Sequence, residues 1–372
     1  RPTDRFCVPP RLPQFHVFAI GTEECQNSIA KSVIVHSKKE WETLLKETLG
    51  ASYEMLSHRN PTVPQHCTQA THNAVFAHRA IVPLLRNVRS SAVPTGLSLG
   101  APGTTLGNKG GVGIAFSIGA TSCVFVNSHL AAHQTNVRER NEHFFQISHG
   151  LVRALRPTGS MPRGSAQRRS VPSSCPTISA SSAVATPRDR AADGGGGGGD
   201  GGGSSTSLPA AFDRVIWAGD LNYRINAPRA VADLLLAKDM HEVLLKNEQL
   251  TLERKKKGEG GYLPPFSGYR EGPLNFRPTY KYDSGTDTYD TSSKQRVPAW
   301  TDRVLFSGGA AEGRLKLRAY RSIAELRTSD HRPVLASFVM EFDQRTEEGG
   351  EESGSEGAAV TNQTSSEVCS LM

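Results

Sequence analysis

The chain has 372 residues, with 43 Lys plus Arg against 36 Asp plus Glu, a formal net charge of +7 with neutral histidines, and 37% hydrophobic residues. That is enough apolar material for one or two packed domains, while 36 Gly and 22 Pro predict that part of the chain stays outside any core. No apolar run approaches the ~18 residues of a membrane-spanning helix. The N-terminus lacks both a Met and the apolar core of a secretion signal and reads as that of a fragment, and six scattered Cys without a CxxC pair read as reduced intracellular thiols.

In chain order, residues 15–20 form the first apolar run that reads as a buried strand. Trp41, Leu44, Leu45 and Leu49 then share one face of a predicted helix. Strands are predicted at 112–116 and 123–126, followed by a helix that buries Phe144, Ser148, Leu151, Val152 and Leu155. Residues 156–210, built from Ser, Pro, Ala, Arg and Gly, lack the periodic apolar residues that offset ordering entropy and read as a flexible insertion. A strand at 215–218 precedes a helix that starts after Pro228 and places Val231, Leu234 and Leu235 inward, and further strands are predicted at 304–306 and 334–338. Residues 344–372 form a disordered acidic tail with one Arg and six Glu, net −5, which leaves +12 on the rest. The organisation is one domain over 1–343, interrupted by the insertion, of α/β class with sheets inside and helices outside. A basic body with an acidic tail suits an anionic ligand such as nucleic acid, phosphorylated lipid or another polyphosphate.

Several predicted strands run directly into groups that handle phosphate or metal. Residue 20 leads to Glu24, residue 126 to Asn127-Ser-His129, and residue 217 to Gly-Asp220-Leu-Asn222-Tyr-Arg224. Trp300-Thr-Asp302-Arg303 and Ser329-Asp330-His331 follow near the C-terminal end. Strand ends are rigid platforms on which such side chains converge with little loss of side-chain order. Taken singly, Gly-Asp-x-Asn reads as a capped turn, His129 as a structural histidine and Glu24 as a solvated charge. Their joint occurrence in this order changes that reading.

The ordered set resembles the inositol polyphosphate 5-phosphatases of the endonuclease/exonuclease/phosphatase superfamily. Its most specific pieces are Trp217-Ala-Gly-Asp-Leu-Asn-Tyr-Arg224 and Pro298-Ala-Trp-Thr-Asp-Arg-Val-Leu305, supported by Asn108-Lys-Gly-Gly-Val-Gly113, Asn127-Ser-His-Leu130 with Arg140-Asn141, and Tyr280-Lys-Tyr-Asp283. Residues 288–296 and 328–334 lean toward the prenylated ciliary subfamily. The resemblance implies a DNase I-like four-layer sandwich: two packed, mostly antiparallel β-sheets flanked by helices. It implies Mg²⁺-dependent hydrolysis of the 5-phosphate of phosphoinositides or soluble inositol polyphosphates. Glu24 would bind the Mg²⁺, Asp220 would accept the proton of the attacking water, and Asn222 would orient that water or a phosphate oxygen. The Asp-x-Asn spacing on a strand places both side chains on one side. Asp302 would hold a cationic His331 against the phosphate, His129 would donate to the same group, and Asp330 would fix the water network. Lys281, Tyr282, Lys294 and Arg296, with Arg224 as a further contact, would bind the neighbouring 4-phosphate.

Cys369-Ser-Leu-Met372 fits the C-a-a-X prenylation pattern, which makes a prenyltransferase an expected partner. One prenyl chain anchors weakly, so the basic face of the body would supply a second membrane contact, for a cytoplasmic protein peripheral at membranes. No nucleic acid is expected. Members of the family have a strand before the one at residue 15, ending in an Asn that assists metal binding; residues 1–14 contain no Asn, so the sequence reads as lacking that strand and ligand, and a gap in the sheet would expose unpaired backbone. Two other readings are a superfamily phosphodiesterase or nuclease and a phosphoinositide-binding scaffold without turnover.

Overall fold

The computed structural model describes residues 15–24, 38–56, 71–95, 97–98, 105–106, 109–156, 207–256, 263–309, 312–343 and 363–371. The principal elements begin with β1 (Val17–Glu23), α1 (Lys38–Leu49), β2 (Tyr53–Met55), β3 (Thr71–His78), β4 (Leu85–Pro94), β5 (Gly110–Ile118), β6 (Thr121–His129) and α2 (Val137–Leu155). They continue with α3 (Leu208–Ala211), β7 (Arg214–Asp220), α4 (Arg229–Ala237), α5 (His241–Leu245), α6 (Gln249–Lys255), β8 (Arg270–Glu271), β9 (Asp302–Ser307), β10 (Leu315–Ser322), β11 (Val334–Asp343) and β12 (Gln363–Leu371).

The strands form two six-stranded sheets, in the orders β10-β11-β12-β1-β3-β2 and β8-β9-β7-β6-β5-β4. Pairing is antiparallel except for β1 with β12 and β6 with β7. Alternation along each strand sends one set of side chains between the sheets. Val17, Ala19, Val75, Ala336 and Phe338 of the first sheet meet Phe116, Phe125, Ile216 and Val304 of the second in one buried core. The outer faces are covered by helices. Leu45 of α1 packs on Phe18, Ile20 and Phe76, while Phe144, Ile147 and Leu151 of α2 pack on Val124, Val126 and Trp217. The result is the helix, sheet, sheet, helix sandwich that the resemblance implies.

Every strand expected from an apolar run is present. The helix faces are shifted by neighbours that periodicity does not show. On α1, Leu44 is exposed and Glu42 is buried, its carboxylate 3.1 Å from His72 Nε2. On α4, Ala232 and Leu236 are buried while Val231 and Leu234 are exposed. This short helix lies over a small cluster that includes Ile225, Leu274 and Trp300, and covering it needs only a narrow stripe.

Two boundaries also differ. The expected insertion ends early: α3 already buries Leu208 within 156–210, with Pro209 in its first turn. Most of that insertion, and residues 344–362 of the tail, lie outside the described residues, as does Asn108. The end of the tail is a strand. β12 pairs antiparallel with Leu335–Asp343 of β11 and parallel with Val17–Ile20 of β1, between the two. Composition predicts disorder there because a strand in the middle of a sheet draws its order from two neighbours that are distant in sequence.

Candidate active site

Register assembles the site. β6 runs parallel to β7 with His129 paired to Asp220, and β9 runs antiparallel to β7 with Asp302 paired to Asp220. His129, Asp220 and Asp302 therefore stand in one row across three strands, and directly paired residues project to the same face. Gly219 permits the close approach: its φ is +145° and a Cβ there would sit 1.9 Å from the carbonyl oxygen of Ser128. His331 reaches the row from the segment before β11, where it bridges to Tyr280. Ligating atoms of Asp220, Asp302 and His331 all lie within 4.8 Å of one another.

Each member is held by its neighbours. His331 Nδ1 is 3.0 Å from both oxygens of Asp302, whose Oδ2 also accepts hydrogen bonds from Thr279 at 2.5 Å and Thr301 at 3.0 Å. Burial disfavours the imidazolium, but Asp302, followed by Asp220 and Asp330, outweighs it and lifts His331 to about 9. With Nδ1 on Asp302, Nε2 is the ring atom left to face a ligand. His129 Nε2 lies 3.2 Å from Asp220 Oδ2, and Lys109 Nζ also contacts that nitrogen. Burial pushes Asp220 upward, yet the bond from His129 and the charges of His129, His331 and Lys109 hold it below the usual carboxylate range.

Asn222 does not lie on the strand. β7 ends at Asp220, and Asn222 adopts a left-handed φ of 57°, a conformation that Asn tolerates. Its backbone N donates to Asp220 Oδ1 at 3.0 Å, and its Nδ2 donates to Asp220 Oδ2 at 2.9 Å and Leu130 O at 3.2 Å. The Asp-x-Asn pair meets through a turn instead of strand alternation, and the amide braces Asp220. Arg224 is likewise engaged: it donates to Asn222 O and Oδ1 and lies 4.4 Å over the Tyr280 ring.

The residues expected at the substrate side fall into two groups. Lys281 pairs with Asp330 at 2.6 Å, Arg296 is half-buried near Asp290, and Lys294 is exposed. Tyr282 is turned inward: its hydroxyl donates to Pro278 O and meets Tyr289, and Arg332 covers its ring at 3.8 Å. Its hydroxyl is thus committed to the core. Arg140 and Asn141 are buried and tie α2 to Gln249 and Glu253 of α6. Cys369 lies within β12, paired to Ser337.

At the end of β1 the sequence points to Glu24, and Glu23 stands beside it. Glu24 follows the strand with φ 50°, and its side chain is 46% exposed, 3.9 Å from Lys109 Nζ. Glu24 also acts on His129 and Lys109, and its neighbour Glu23 enters the field of Asp220, Asp302 and His331; burial first, then Asp220, raises the Glu23 carboxyl to about 8. Lys109 and Thr301 lie inside the sequence motifs without a role assigned to them, and Thr279 carried no signal.

Residues 4–337 match the model of endonuclease/exonuclease/phosphatase family 2. The chain belongs to that family. Among its relatives, the human phosphatidylinositol polyphosphate 5-phosphatase type IV is 30% identical over 345 residues, covering 89% of this chain and 43% of that protein. Rat synaptojanin-2 is 31% identical over 358 residues, covering 88% and 19%. The chain thus spans less than half the length of these relatives. Among solved structures, the inositol polyphosphate 5-phosphatase domain of spSynaptojanin, in complex with inositol (1,4)-bisphosphate and calcium ion, superposes with a TM-score of 0.61 at 26% identity, covering 97% of this chain and 77% of that one. A Cimex nitrophorin shares the fold at a TM-score of 0.55 and 18% identity. No helix among the described residues is long and apolar enough to cross a membrane.

Proposed function

We propose that the chain is a Mg²⁺-dependent phosphoinositide 5-phosphatase, which removes the 5-phosphate from phosphatidylinositol 4,5-bisphosphate or 3,4,5-trisphosphate and from soluble inositol polyphosphates. The observation that carries this reading is the row of His129, Asp220 and Asp302, closed by His331, with Lys281 paired to the adjacent Asp330. The names of the relatives and the inositol bisphosphate bound to the spSynaptojanin domain support it.

Hydrolysis of a phosphate monoester passes through a loose transition state, so positioning and counter-charge do most of the work. Asp220 stays ionised and accepts the hydrogen bond, then the proton, of an attacking water. Asn222 and His129 fix the orientation of that carboxylate. His331, cationic below about 9, directs Nε2–H at a phosphate oxygen. Lys281, Lys294 and Arg296 neutralise the adjacent phosphate, with Asp330 keeping Lys281 in place.

The residues present fit a hard divalent cation: Glu24 at the end of β1, 3.9 Å from Lys109 Nζ, would hold it, and the neighbouring Glu23 has an enclosed oxygen, Oε1, with no hydrogen-bond partner. When bound, such an ion supplies positive charge to the scissile phosphate. The membrane part of the proposal rests on the C-a-a-X match: prenylation of Cys369 by a prenyltransferase, at the cytoplasmic face of a membrane, requires β12 to leave the sheet. Unchanged membrane partition of Cys369→Ser would remove that part. Phosphate release from a panel of phosphoinositides and soluble inositol phosphates, with and without Mg²⁺, tests the whole reading, and cleavage of abasic DNA in place of every inositol substrate would reverse it.

A further inference from the structure

Lys294 and Arg296 sit on a surface loop. Residues 291–295 are exposed and lie outside any helix or strand, and Gln295, between the two cations, has a left-handed φ of 38°. Such a loop binds a ligand weakly unless its shape is fixed beforehand, because ordering it on binding costs conformational entropy. The buried carboxylate of Asp290 fixes it from within: Oδ1 accepts from Ser292 N at 3.1 Å and Oδ2 from Arg296 N at 2.8 Å. Ser292 O accepts from Gln295 N at 3.0 Å and closes a turn, and Asp290 N donates to Lys281 O at 2.9 Å, tying the loop to the segment that bears the third cation.

A residue outside every motif of the sequence holds the same loop from behind. Arg229, the first residue of α4, donates from Nη1 to Asp290 O at 2.9 Å and to Arg296 O at 3.0 Å, the two ends of the loop, and from Nη2 to Tyr289 O at 3.3 Å. Its Nε donates to both oxygens of Asp233, one turn along α4, at 2.8 and 2.9 Å. A planar guanidinium can bridge separate carbonyl oxygens in one fixed geometry, which the single point charge of an ammonium does not reproduce. α4 itself is seated through Ala232 and Leu236 on the small core that contains Tyr282, Tyr289 and Trp300. The clamp is therefore mounted on a packed support, and its nitrogens are spent on backbone and on Asp233.

We propose that Arg229, oriented by Asp233, is a positioning residue for the phosphate next to the scissile one: it staples both ends of the 290–296 loop, so that Lys294 and Arg296 meet that phosphate already in place. The role rests on the phosphatase reading above, and a binding measurement separates the two. Inositol 1,4-bisphosphate is titrated calorimetrically into the full chain as wild type, Arg229→Ala, Arg229→Lys and Asp233→Asn, and steady-state kinetics with Mg²⁺ are taken on inositol 1,4,5-trisphosphate and on inositol 1,5-bisphosphate. Arg229→Ala should bind inositol 1,4-bisphosphate about tenfold more weakly and raise KM for the trisphosphate by a similar factor, with kcat and the KM for the 1,5-bisphosphate each changing less than about twofold. Arg229→Lys should fall between Arg229→Ala and wild type, and Asp233→Asn should cost about threefold in affinity. An unchanged affinity in Arg229→Ala, a KM raised equally for both substrates, or a loss carried by kcat would overturn the role. Should Arg229→Ala fail to fold, Arg229→Lys and Asp233→Asn decide by the same criteria. Binding of inositol 1,4-bisphosphate that depends on Arg229 in a chain releasing no phosphate would uphold the clamp while ending the phosphatase reading. A wild-type chain that hydrolyses the trisphosphate yet binds no inositol 1,4-bisphosphate would overturn the clamp alone, and one that does neither would overturn both.

Discussion

The two sheets contribute to the site in different ways. The sheet containing β6, β7 and β9 carries its chemistry on strands whose register alone brings His129, Asp220 and Asp302 into line. The sheet containing β1 contributes a single acidic strand end, and β1 is held by β3 on one side and by β12, from the far end of the chain, on the other. A row built on paired strand ends is rigid and tolerates changes of charge without loss of fold. A strand supported by a remote partner couples site geometry to global stability.

Substitutions can separate these two behaviours. The largest effect should come from Asp220→Asn, which keeps the shape of the row and removes its acceptor: kcat/KM for phosphate release should fall ~10³-fold or more, while thermal unfolding shows little loss. A fall in activity that merely tracks lost stability would erase the contrast. On the other sheet, deleting residues 363–371 strips β11 and β1 of a shared neighbour and should reduce unfolding free energy by roughly 3–5 kcal/mol, at ~1 kcal/mol net per lost backbone hydrogen bond with partial re-solvation. Urea denaturation would measure this, and an unchanged midpoint would show that β12 adds nothing to the sheet.

Asp302→Ala should lower kcat by about 10²-fold and shift the alkaline limb of the pH profile. His331 is raised from an ordinary 6.5 to about 9 in the fold, so the stabilisation from its charge is complete below pH 6.5 and is lost as pH rises through 9. Wild-type activity should decline near pH 9, and in Asp302→Ala the decline should begin near the ordinary histidine value. The smallest effect belongs to the rim. Lys294→Ala with Arg296→Ala should raise KM for a 4,5-bisphosphate about tenfold and affect a substrate without the 4-phosphate much less, as steady-state kinetics on the two lipids would show.

The strands bearing the row were legible because fully buried strands read as apolar runs and end on chemically distinctive residues. β3 and β10 were not, since β3 opens on the buried polar residues Thr71, His72 and Asn73, and β10 has one buried position, Leu315, followed by half-buried and exposed ones. The roles given to Asp302 and His331 have a visible geometric basis in their 3.0 Å contacts. Asn222 and Arg224 lie next to Asp220, where a turn and a hydrogen-bond chain determine what their side chains touch. Tyr282 has a sequence neighbourhood suited to phosphate and a hydroxyl committed to Pro278 and Tyr289, which only tertiary packing decides.

The most direct measurement is product analysis with phosphatidylinositol 4,5-bisphosphate and Mg²⁺, run in parallel on the wild-type chain and Asp220→Asn. Release of inorganic phosphate with phosphatidylinositol 4-phosphate as the remaining lipid, reduced at least ~10³-fold in the variant, is the expected result. Recovery of phosphatidylinositol 5-phosphate, or equal turnover by the two proteins, would contradict the assignment of the row as the hydrolytic centre.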